Sequence, residues 1–434
     1  MNRRKLIKSM FALGAISLLA PAKIIANVAK PSIPEKEKML LDTNSLLAER
    51  KKARRRMRRI IMNNDGNDMN VSGNPNVTVD QFLEKRTKAL MSSHVDSIFY
   101  CDGVNNVYSH LSEVTELPFD NERAMNLIQV LKTQGTDTLT EMVKFCKQNN
   151  KEIFWSMRMN DNHDATRPEL LSKFKKTHPE YLVGKQGVRM PQMSNKWSAL
   201  DYGIPEVRAQ VERTIEDVVT RYDIDGIELD FCRHPAFFKA QFYANDVTQE
   251  ECDMLTAMIR NVRAICDKAA IARGRVLLIG VRVPDSLGYC KAIGIDLETW
   301  LKDGLLDLMI GADYFKLEPW ENWVTLGRKY NVPAYAGFEQ RRMVNEKIHP
   351  EKESAVEIWR GEAYMAWKSG VNGIYTFNRF NPKDPLFWEI GDPLKLEKLK
   401  RIDQISYVNL DGNTGYLKPE YWLKDGRKYL KEPK

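Results

Sequence analysis

The sequence lacks the cysteine pairs and the glycine-rich loops that mark several common classes of functional site. Its six cysteines are scattered, with no CxxC pair, so a structural zinc site is not expected. No glycine-rich phosphate loop follows any predicted strand, which argues against a nucleotide-binding, doubly wound sheet. A chain of 434 residues buries enough apolar surface to need no disulfides, so we expect buried free thiols. We predict no cofactor and no bound metal ion.

Long apolar runs are also scarce. The stretch over residues 10–20 is short for a membrane span, and no other run is long enough. Basic residues precede this stretch and small residues follow it, which is typical of a secretory signal peptide. We predict a signal peptide over residues 1–29, with cleavage after Ala26 or Ala29, and a periplasmic or secreted bacterial protein. The basic run also resembles a twin-arginine export signal, and an uncleaved signal anchor is the alternative.

Acidic residues do not balance the basic ones, since 66 Lys and Arg face 58 Asp and Glu, a formal net charge of +8. Residues 1–26 carry five of the basic residues and no acid, so the net charge without them is +3. Eight more basic residues crowd into residues 50–59, at the end of a basic lead-in segment that we place at residues 30–57. Such a run favours a solvated helix, and contact with an anionic polysaccharide is the functional alternative. No nucleic-acid partner is predicted.

Strand and helix patterns alternate eight times across residues 58–390. Amphipathic helices occupy most of the intervals between strands, and residues 207–222 are the clearest example. This alternation predicts an α/β fold, a (β/α)8 TIM barrel, over an open doubly wound sheet. An extended loop region over residues 159–203 follows strand three, and residues 391–434 form a C-terminal extension. The eight predicted strands lie at Arg59–Asp65, Val95–Asp102, Glu152–Asp161, Gly226–Asp230, Val276–Asp285, Leu306–Tyr314, Ala334–Glu339 and Gly373–Asn378.

The fourth predicted strand carries the strongest functional signal. Asp225-Gly226 begins a short apolar run that ends in Asp230, and Arg233 and His234 follow directly. Because active sites of (β/α)8 barrels lie at the carboxyl ends of the strands, this layout favours a hydrolytic site. The competing interpretation is a structural acid held by Arg233.

The other strand ends predict a polar bowl rich in carboxylates and bidentate donors. Aromatic residues such as Trp155 and Phe338 recur nearby, and sugars need paired donors and acceptors together with stacking surfaces. The predicted partner is therefore a carbohydrate, and the sequence does not indicate an oligomeric state. The predicted substrate-binding residues are Asn64, Asp65, Arg158, Asn160, Asp161, His163, Arg233, His234, Arg282, Tyr314 and Asn378.

Glycoside hydrolysis requires two carboxyl groups with opposite protonation states. We predict that Asp230 is the ionised one, kept charged by Arg158, Arg233 or Arg282. Glu339 is the first candidate for the protonated group, with Phe338 and Tyr335 as neighbours that remove it from water. Asp313 is the second candidate, and the choice between the two stays open.

Around the fourth predicted strand, the chain resembles two known families. Residues 225–234 resemble the fourth-strand motif of the α-amylase superfamily, in which a nucleophilic Asp stands at the position of Asp230. That superfamily has Arg where this chain has Glu228, and its motifs on strands five and seven are not recognisable here. The chain as a whole resembles the bacterial glycoside hydrolase-like TIM-barrel proteins labelled family-10-like, through the signature Asp225-Gly226-Ile227-x-x-Asp230. The resemblance implies a glycosidase and gives no substrate.

The function predicted from the sequence is an exported glycoside hydrolase that cleaves poly- or oligosaccharides. A non-catalytic carbohydrate-binding barrel is the first alternative, because a fold does not compel a function. The second is a lyase or phosphodiesterase acting on a polyanion, indicated by the arginines at the strand ends. A metal-dependent form of it would use Asp65, Asp161 and Asp230 as ligands.

Overall fold

The computed structural model describes residues 42–65, 68, 77–104, 106–118, 122–191, 196–313, 315–339, 356–403, 423, 426–429 and 431. The predicted signal peptide, the start of the lead-in segment and most of the C-terminal extension lie outside these residues. Within them, no helix combines the length and apolar character that crossing a membrane requires.

Eight parallel strands close into a barrel in the order β1-β8-β7-β6-β5-β4-β3-β2. The predicted (β/α)8 barrel is therefore confirmed, and each of the eight predicted strands is present. The β-branched and aromatic side chains of the strands are buried on both faces, as a parallel sheet covered by helices requires. The strands are β1 (Ile60–Asn64), β2 (Val95–Tyr100), β3 (Glu152–Arg158), β4 (Gly226–Asp230), β5 (Leu278–Val283), β6 (Leu308–Gly311), β7 (Ala334–Glu339) and β8 (Gly373–Phe377).

The helices surround the barrel and cover its apolar outer face. On the longest helix between β3 and β4, buried residues recur at the spacing of one helical face, from Val207 to Val219. The helices are α1 (Thr43–Arg54), α2 (Val79–Arg86), α3 (Glu122–Thr133), α4 (Thr138–Gln148), α5 (Lys173–Thr177), α6 (Pro205–Arg221), α7 (Lys239–Phe242), α8 (Gln249–Arg273), α9 (Leu287–Ala292), α10 (Leu297–Lys302), α11 (Trp320–Tyr330), α12 (Val356–Ser369) and α13 (Pro393–Lys398).

The segment between β3 and α6 is the extended loop region that the sequence predicts. It holds only α5 and short 3-10 turns at His163–Thr166, Pro168–Leu170 and Pro179–Tyr181. Its position after β3 places it at the carboxyl ends of the strands, next to the predicted site.

The six cysteines are free and buried, as the sequence predicts.

The Asp-Gly that opens β4 has a packing role. Gly226 lies between Phe154 of β3 and Leu278 of β5, and a Cβ atom there would come within 2.3 Å of the Phe154 ring and 2.6 Å of the Leu278 carbonyl oxygen. Asp225 accepts a hydrogen bond from the backbone N–H of Ile153 at 2.9 Å, which ties the start of β4 to β3. The first two residues of the signature therefore fix the position of the strand that presents Asp230.

Candidate active site

Asp230 lies at the carboxyl end of β4, between two arginines. The strand register pairs it with Arg158 of β3 and Arg282 of β5. Nη1 of Arg282 lies 3.0 Å from both carboxylate oxygens, and the backbone N–H of Cys232 donates to Oδ1 at 2.9 Å. Donors of this kind favour the ionised carboxylate and fix its orientation. Of the three arginines that could hold Asp230 charged, Arg282 is the one in direct contact with it.

Arg282 is itself fixed by an aromatic surface. Its guanidinium carbon lies 3.9 Å from the ring centroid of Phe377, the last residue of β8. A guanidinium stacked on a ring keeps its charge and its plane of hydrogen bonds. Sequence reasoning missed Phe377, although its position at the end of a strand was a signal that could have found it.

A second carboxyl group, Glu228, lies directly below Asp230. Residues two apart on a strand share a face, and both side chains point into the barrel. Glu228 accepts a hydrogen bond from the Ser156 hydroxyl, and Asn63 Nδ2 lies 3.5 Å from its Oε2. Burial, and then the negative charge of Asp230, raises the pKa of Glu228 to about 8. Glu228 is therefore protonated at neutral pH while Asp230 is paired with Arg282.

Sequence reasoning noted Glu228 only as a departure from the α-amylase motif. The two-residue spacing to Asp230 was the signal that could have found it, because it puts both acids on the interior face. The difference at position 228 has a physical consequence. The α-amylase motif has an arginine there, whereas this chain has a protonated glutamic acid, and the arginine that contacts Asp230 is Arg282 of β5.

Arg158, at the end of β3, joins two more predicted residues. It donates to Asp161 Oδ2 at 2.6 Å and to Asp65. Burial opposes ionisation of Asp65, but the positive charges of Arg158 and Arg233 outweigh it and lower the pKa of that carboxyl. Burial likewise opposes ionisation of Asp161, and His163 and Arg158 hold its pKa well below the usual range. Both carboxylates are therefore fixed and charged.

Two histidines complete this side of the site. Asp161 Oδ1 lies 2.5 Å from Nδ1 of His163, and the rings of His163 and His234 meet edge to face with centroids 4.7 Å apart. Nη2 of Arg233 lies 3.2 Å from Nε2 of His163. Burial, followed by the charge of His163, pushes the pKa of His234 well below that of a free imidazole. The exposed ring of His163 is the part of this cluster that faces solvent.

Within the described part of the chain, one group of side chains has the geometry of a metal site. Ligand atoms of Asp161, His163 and His234 lie within 4.8 Å of one another. Guanidinium groups already contact two of these residues, since Asp161 accepts a hydrogen bond from Arg158 and Nη2 of Arg233 lies 3.2 Å from Nε2 of His163. The neighbouring positive charges oppose cation binding and favour a neutral or anionic ligand. Asp65 and Asp230 are not part of this group.

Two predicted binding residues hold the loops of the site together. Asn160 donates to the carbonyls of Leu200 and Ala236 at 2.9 and 2.8 Å and accepts from the Leu200 N–H. Asn64 donates to Asp68 at 2.7 Å and accepts from Arg86. Their amides are occupied by protein partners, so contact with a substrate remains a prediction for both.

The two candidates for the proton donor occupy different surroundings. Glu339 ends β7 and accepts a hydrogen bond of 3.2 Å from Asn378, which follows β8. Asp313 follows β6 and is completely buried, and its charge contributes to raising the pKa of Cys232, Tyr289 and Cys290 after burial itself. Tyr314 lies outside the described residues.

One expectation about Glu339 is wrong. Phe338 packs against Trp320 and Trp359, with ring centroids 6.3 and 5.9 Å away, because alternate residues of β7 face opposite sides of the barrel wall. The Tyr335 hydroxyl lies 3.4 Å from Nη1 of Arg58, which precedes β1 at the opposite end of the barrel. Neither ring therefore removes the Glu339 carboxyl from water.

Residues 76–260 match the model of a family described as glycosyl hydrolase-like 10. This segment carries β2, β3 and β4, and with them Asp230, Arg158 and the signature that begins at Asp225. The resemblance to the family-10-like glycoside hydrolases is confirmed over this segment. No curated protein matches the chain.

Solved structures of glycoside hydrolases resemble the chain in fold. An α-L-fucosidase isoenzyme 2 from Paenibacillus thiaminolyticus is 14% identical with a TM-score of 0.46; the match covers 79% of this chain, which spans about half, 49%, of the fucosidase. The PgaB (BpsB) glycoside hydrolase domain from Bordetella bronchiseptica is 10% identical with a TM-score of 0.48, over 78% of this chain and 98% of that one. A family 18 N-acetylglucosaminidase from Paenibacillus barengoltzii is 10% identical with a TM-score of 0.41, over 78% and 99%.

Proposed function

We propose that this protein is an exported glycoside hydrolase whose active site lies at the carboxyl ends of the strands, around Asp230. The observation that carries the proposal is the contact of Arg282 with both oxygens of Asp230. A buried carboxylate oriented in this way can act as nucleophile or as general base toward an anomeric carbon. The similarity of residues 76–260 to a glycosyl hydrolase-like family supports the same chemistry.

In the proposed reaction, Glu339 gives its proton to the leaving oxygen as the glycosidic C–O bond breaks. Asp230 either attacks the anomeric carbon or activates the water that does so, and water supplies the oxygen and the proton that complete the two products. Glu339 is preferred to Asp313 because of their surroundings. Glu339 accepts a hydrogen bond from Asn378 at the end of β8, whereas the charge of Asp313 affects the buried thiols of Cys232 and Cys290 in the segments that follow β4 and β5. Arg158, with Asp65 and Asp161, lines the side of the same bowl.

The test is a screen of neutral and acidic polysaccharides with product analysis, followed by substitutions. We expect Asp230→Asn to lower the rate by about 10²–10⁴-fold, the scale for removing one acid, base or nucleophile. Glu339→Gln should have a similar effect and Asp313→Asn a smaller one, with circular dichroism confirming that each variant folds. Full activity in Asp230→Asn would remove it from the mechanism. Binding of a glycan without any product would favour the carbohydrate-binding alternative.

Export is tested separately. We propose that residues 1–29 direct the chain out of the bacterial cytoplasm. Expression of the full-length chain in a bacterial host, followed by fractionation and N-terminal sequencing, should give a periplasmic or secreted protein that begins after Ala26 or Ala29. A cytoplasmic protein with an intact N-terminus would contradict this part of the proposal.

A further inference from the structure

A groove of about 820 Å³ lies at the opposite end of the barrel from Asp230. It is lined by residues that precede β1, β7 and β8 and by the ends of α11 and α12, so it is formed at the amino ends of the strands. Its volume is within the range of clefts that bind small molecules or chain segments, about 300–1,000 Å³.

The lining of the groove is strongly basic. Five arginines line it, namely Arg54, Arg55, Arg56, Arg59 and Arg328, and Asp392 is the one acid among the lining residues that the structure describes. The Asp392 carboxylate accepts hydrogen bonds from the backbone N–H groups of residues 394 and 395, where it caps α13. The groove therefore has far more positive charge than its own acids can balance.

The arginines of residues 50–59, together with Arg328 of α11, divide into two groups according to their partners. Arg50, Arg58 and Arg59 each have a carboxylate partner, in Asp307, Glu152 and Asp96. These pairs tie the segment to the barrel.

The second group consists of Arg54, Arg55, Arg56 and Arg328, here called the groove arginines. Among the residues that the structure describes, none of the four has a carboxylate within ion-pair distance. Arg54 Nε is buried with no hydrogen-bond partner there, and Arg55 contacts only the Asn331 side chain, at 3.4 Å. Within the described part of the chain, these four charges therefore take no part in ion pairing.

Helix dipoles do not account for the cluster. The carboxyl ends of α1, α11 and α12 lie at the groove, and each carries a partial charge of about −0.5. Together these partial charges are well below the four positive charges of the groove arginines. Burial lowers the pKa of Arg54; Asp307 opposes the shift, and the guanidinium groups of Arg50 and Arg55 add smaller contributions to it.

Apolar surface lies beside these charges. Met57 is 73% exposed although it is a large apolar residue, and Trp367 and Pro333 also line the groove. Guanidinium groups bind carboxylates and phosphates in bidentate geometry, while aromatic and apolar surfaces pack against the C–H faces of sugars. An acidic sugar presents both features in one unit.

We propose that this groove binds a segment of an acidic polysaccharide, with the groove arginines holding its carboxylates. The site is separate from the mouth of the barrel, so binding does not depend on the proposed hydrolysis. It would keep an anionic glycan attached to the protein at the end opposite the catalytic bowl.

The test uses a defined oligogalacturonate as the anionic probe, a maltooligosaccharide of equal length as the neutral probe, and titration calorimetry at low and moderate salt. We expect the oligogalacturonate to bind, the neutral probe not to bind, and salt to weaken binding. The triple variant Arg55→Gln, Arg56→Gln and Arg328→Gln should bind at least about tenfold more weakly. The matched control is the triple variant Arg213→Gln, Lys268→Gln and Lys302→Gln, which removes the same charge from exposed positions of α6, α8 and α10 and should bind like the wild type.

The outcomes separate this proposal from the proposed function. The Asp230→Asn variant should bind the oligogalacturonate as the wild type does, so a failure of the hydrolase proposal leaves this one standing. Absence of oligogalacturonate binding, or equal weakening in both triple variants, would overturn the groove proposal. Equal or tighter binding of a single-stranded DNA of the same charge, lost in the groove variant, would also overturn it by showing a nucleic-acid site.

Discussion

The two ends of the barrel use buried arginine and carboxylate groups in different ways. At the amino ends of the strands, Arg58 donates to both oxygens of Glu152 at 2.6 and 2.7 Å, and Ser97 donates to the same carboxylate. Three backbone carbonyls and the Tyr335 hydroxyl lie within hydrogen-bonding distance of the remaining guanidinium N–H groups. This pair is saturated with protein partners, so it has nothing left with which to bind a ligand.

At the carboxyl ends, the described acids and cations form a connected network in which one arginine contacts more than one acid. Arg282 donates to Asp230, and Glu228 lies two residues before Asp230 on the same face of β4. Arg158 donates to both Asp65 and Asp161. Burial, and then the charge of Asp230, raises the pKa of Glu228 to about 8. The amino ends therefore hold a fully satisfied ion pair, and the carboxyl ends hold a protonated acid next to paired carboxylates.

The largest expected effect is on stability. Arg58→Met would leave the Glu152 carboxylate buried without its cation, and we expect the free energy of unfolding to fall by about 3–5 kcal/mol. Urea denaturation measures this change. The double variant Arg58→Met, Glu152→Leu should recover much of the loss, because no uncompensated charge remains. An unchanged denaturation midpoint in the single variant would contradict a stabilising role for this pair.

At the carboxyl ends of the strands, we expect substitution of Arg282 to lower the rate of the proposed reaction. Arg282→Met removes the group that contacts both oxygens of Asp230, and we expect kcat/KM at neutral pH to fall by about 10²-fold because the carboxylate loses its fixed orientation. Arg282→Lys keeps the charge and should retain more of the rate. An unchanged kcat/KM in Arg282→Met would contradict a role for this contact in the proposed reaction.

We expect a smaller loss of stability from a substitution that disturbs the packing at the start of β4. Gly226→Ala would place a methyl group 2.3 Å from the Phe154 ring and 2.6 Å from a backbone oxygen, and we expect a loss of about 1–3 kcal/mol. Gly280→Ala on the adjacent strand is the matched control, since its nearest neighbour would be 3.6 Å away. Equal thermal stability of the two variants would contradict the close packing described here.

The sequence predicted the barrel because strands buried on both faces read as apolar runs, and amphipathic helices separate them. It also predicted which residues end the strands, including Asp230, Arg158 and Arg282. The contacts depended on register, which sequence periodicity does not supply. The register places both Arg158 and Arg282 beside Asp230, and the side-chain contacts then identify Arg282 as the direct partner.

The errors have physical causes as well. Phe338 and Tyr335 were assigned to Glu339 by proximity in sequence, whereas alternation along β7 turns Phe338 outward and four residues separate Tyr335 from that end. The raised pKa of Glu228 results from burial in the barrel interior, and the charge pattern alone does not show burial. Three of the groove arginines, Arg54, Arg55 and Arg56, belong to an evident basic run, but only the structure separates them from the arginines that pair with acids.

The smallest expected effect is on the pH dependence of the free energy of unfolding. The pKa of Glu228 is about 8 in the folded chain, above the ordinary value of 4.5, so the folded state holds a proton that the unfolded state has lost between these pH values. Its contribution to stability is therefore fully present below pH 4.5 and is lost as the pH rises through about 8. We expect Glu228→Gln to flatten the decline in the free energy of unfolding between about pH 5 and pH 9, measured by urea titration. Since the neutral amide occupies nearly the same space, a decline as steep as in the wild type would mean that Glu228 is ionised in the folded protein, and that the strand ends do not hold a protonated acid beside Asp230.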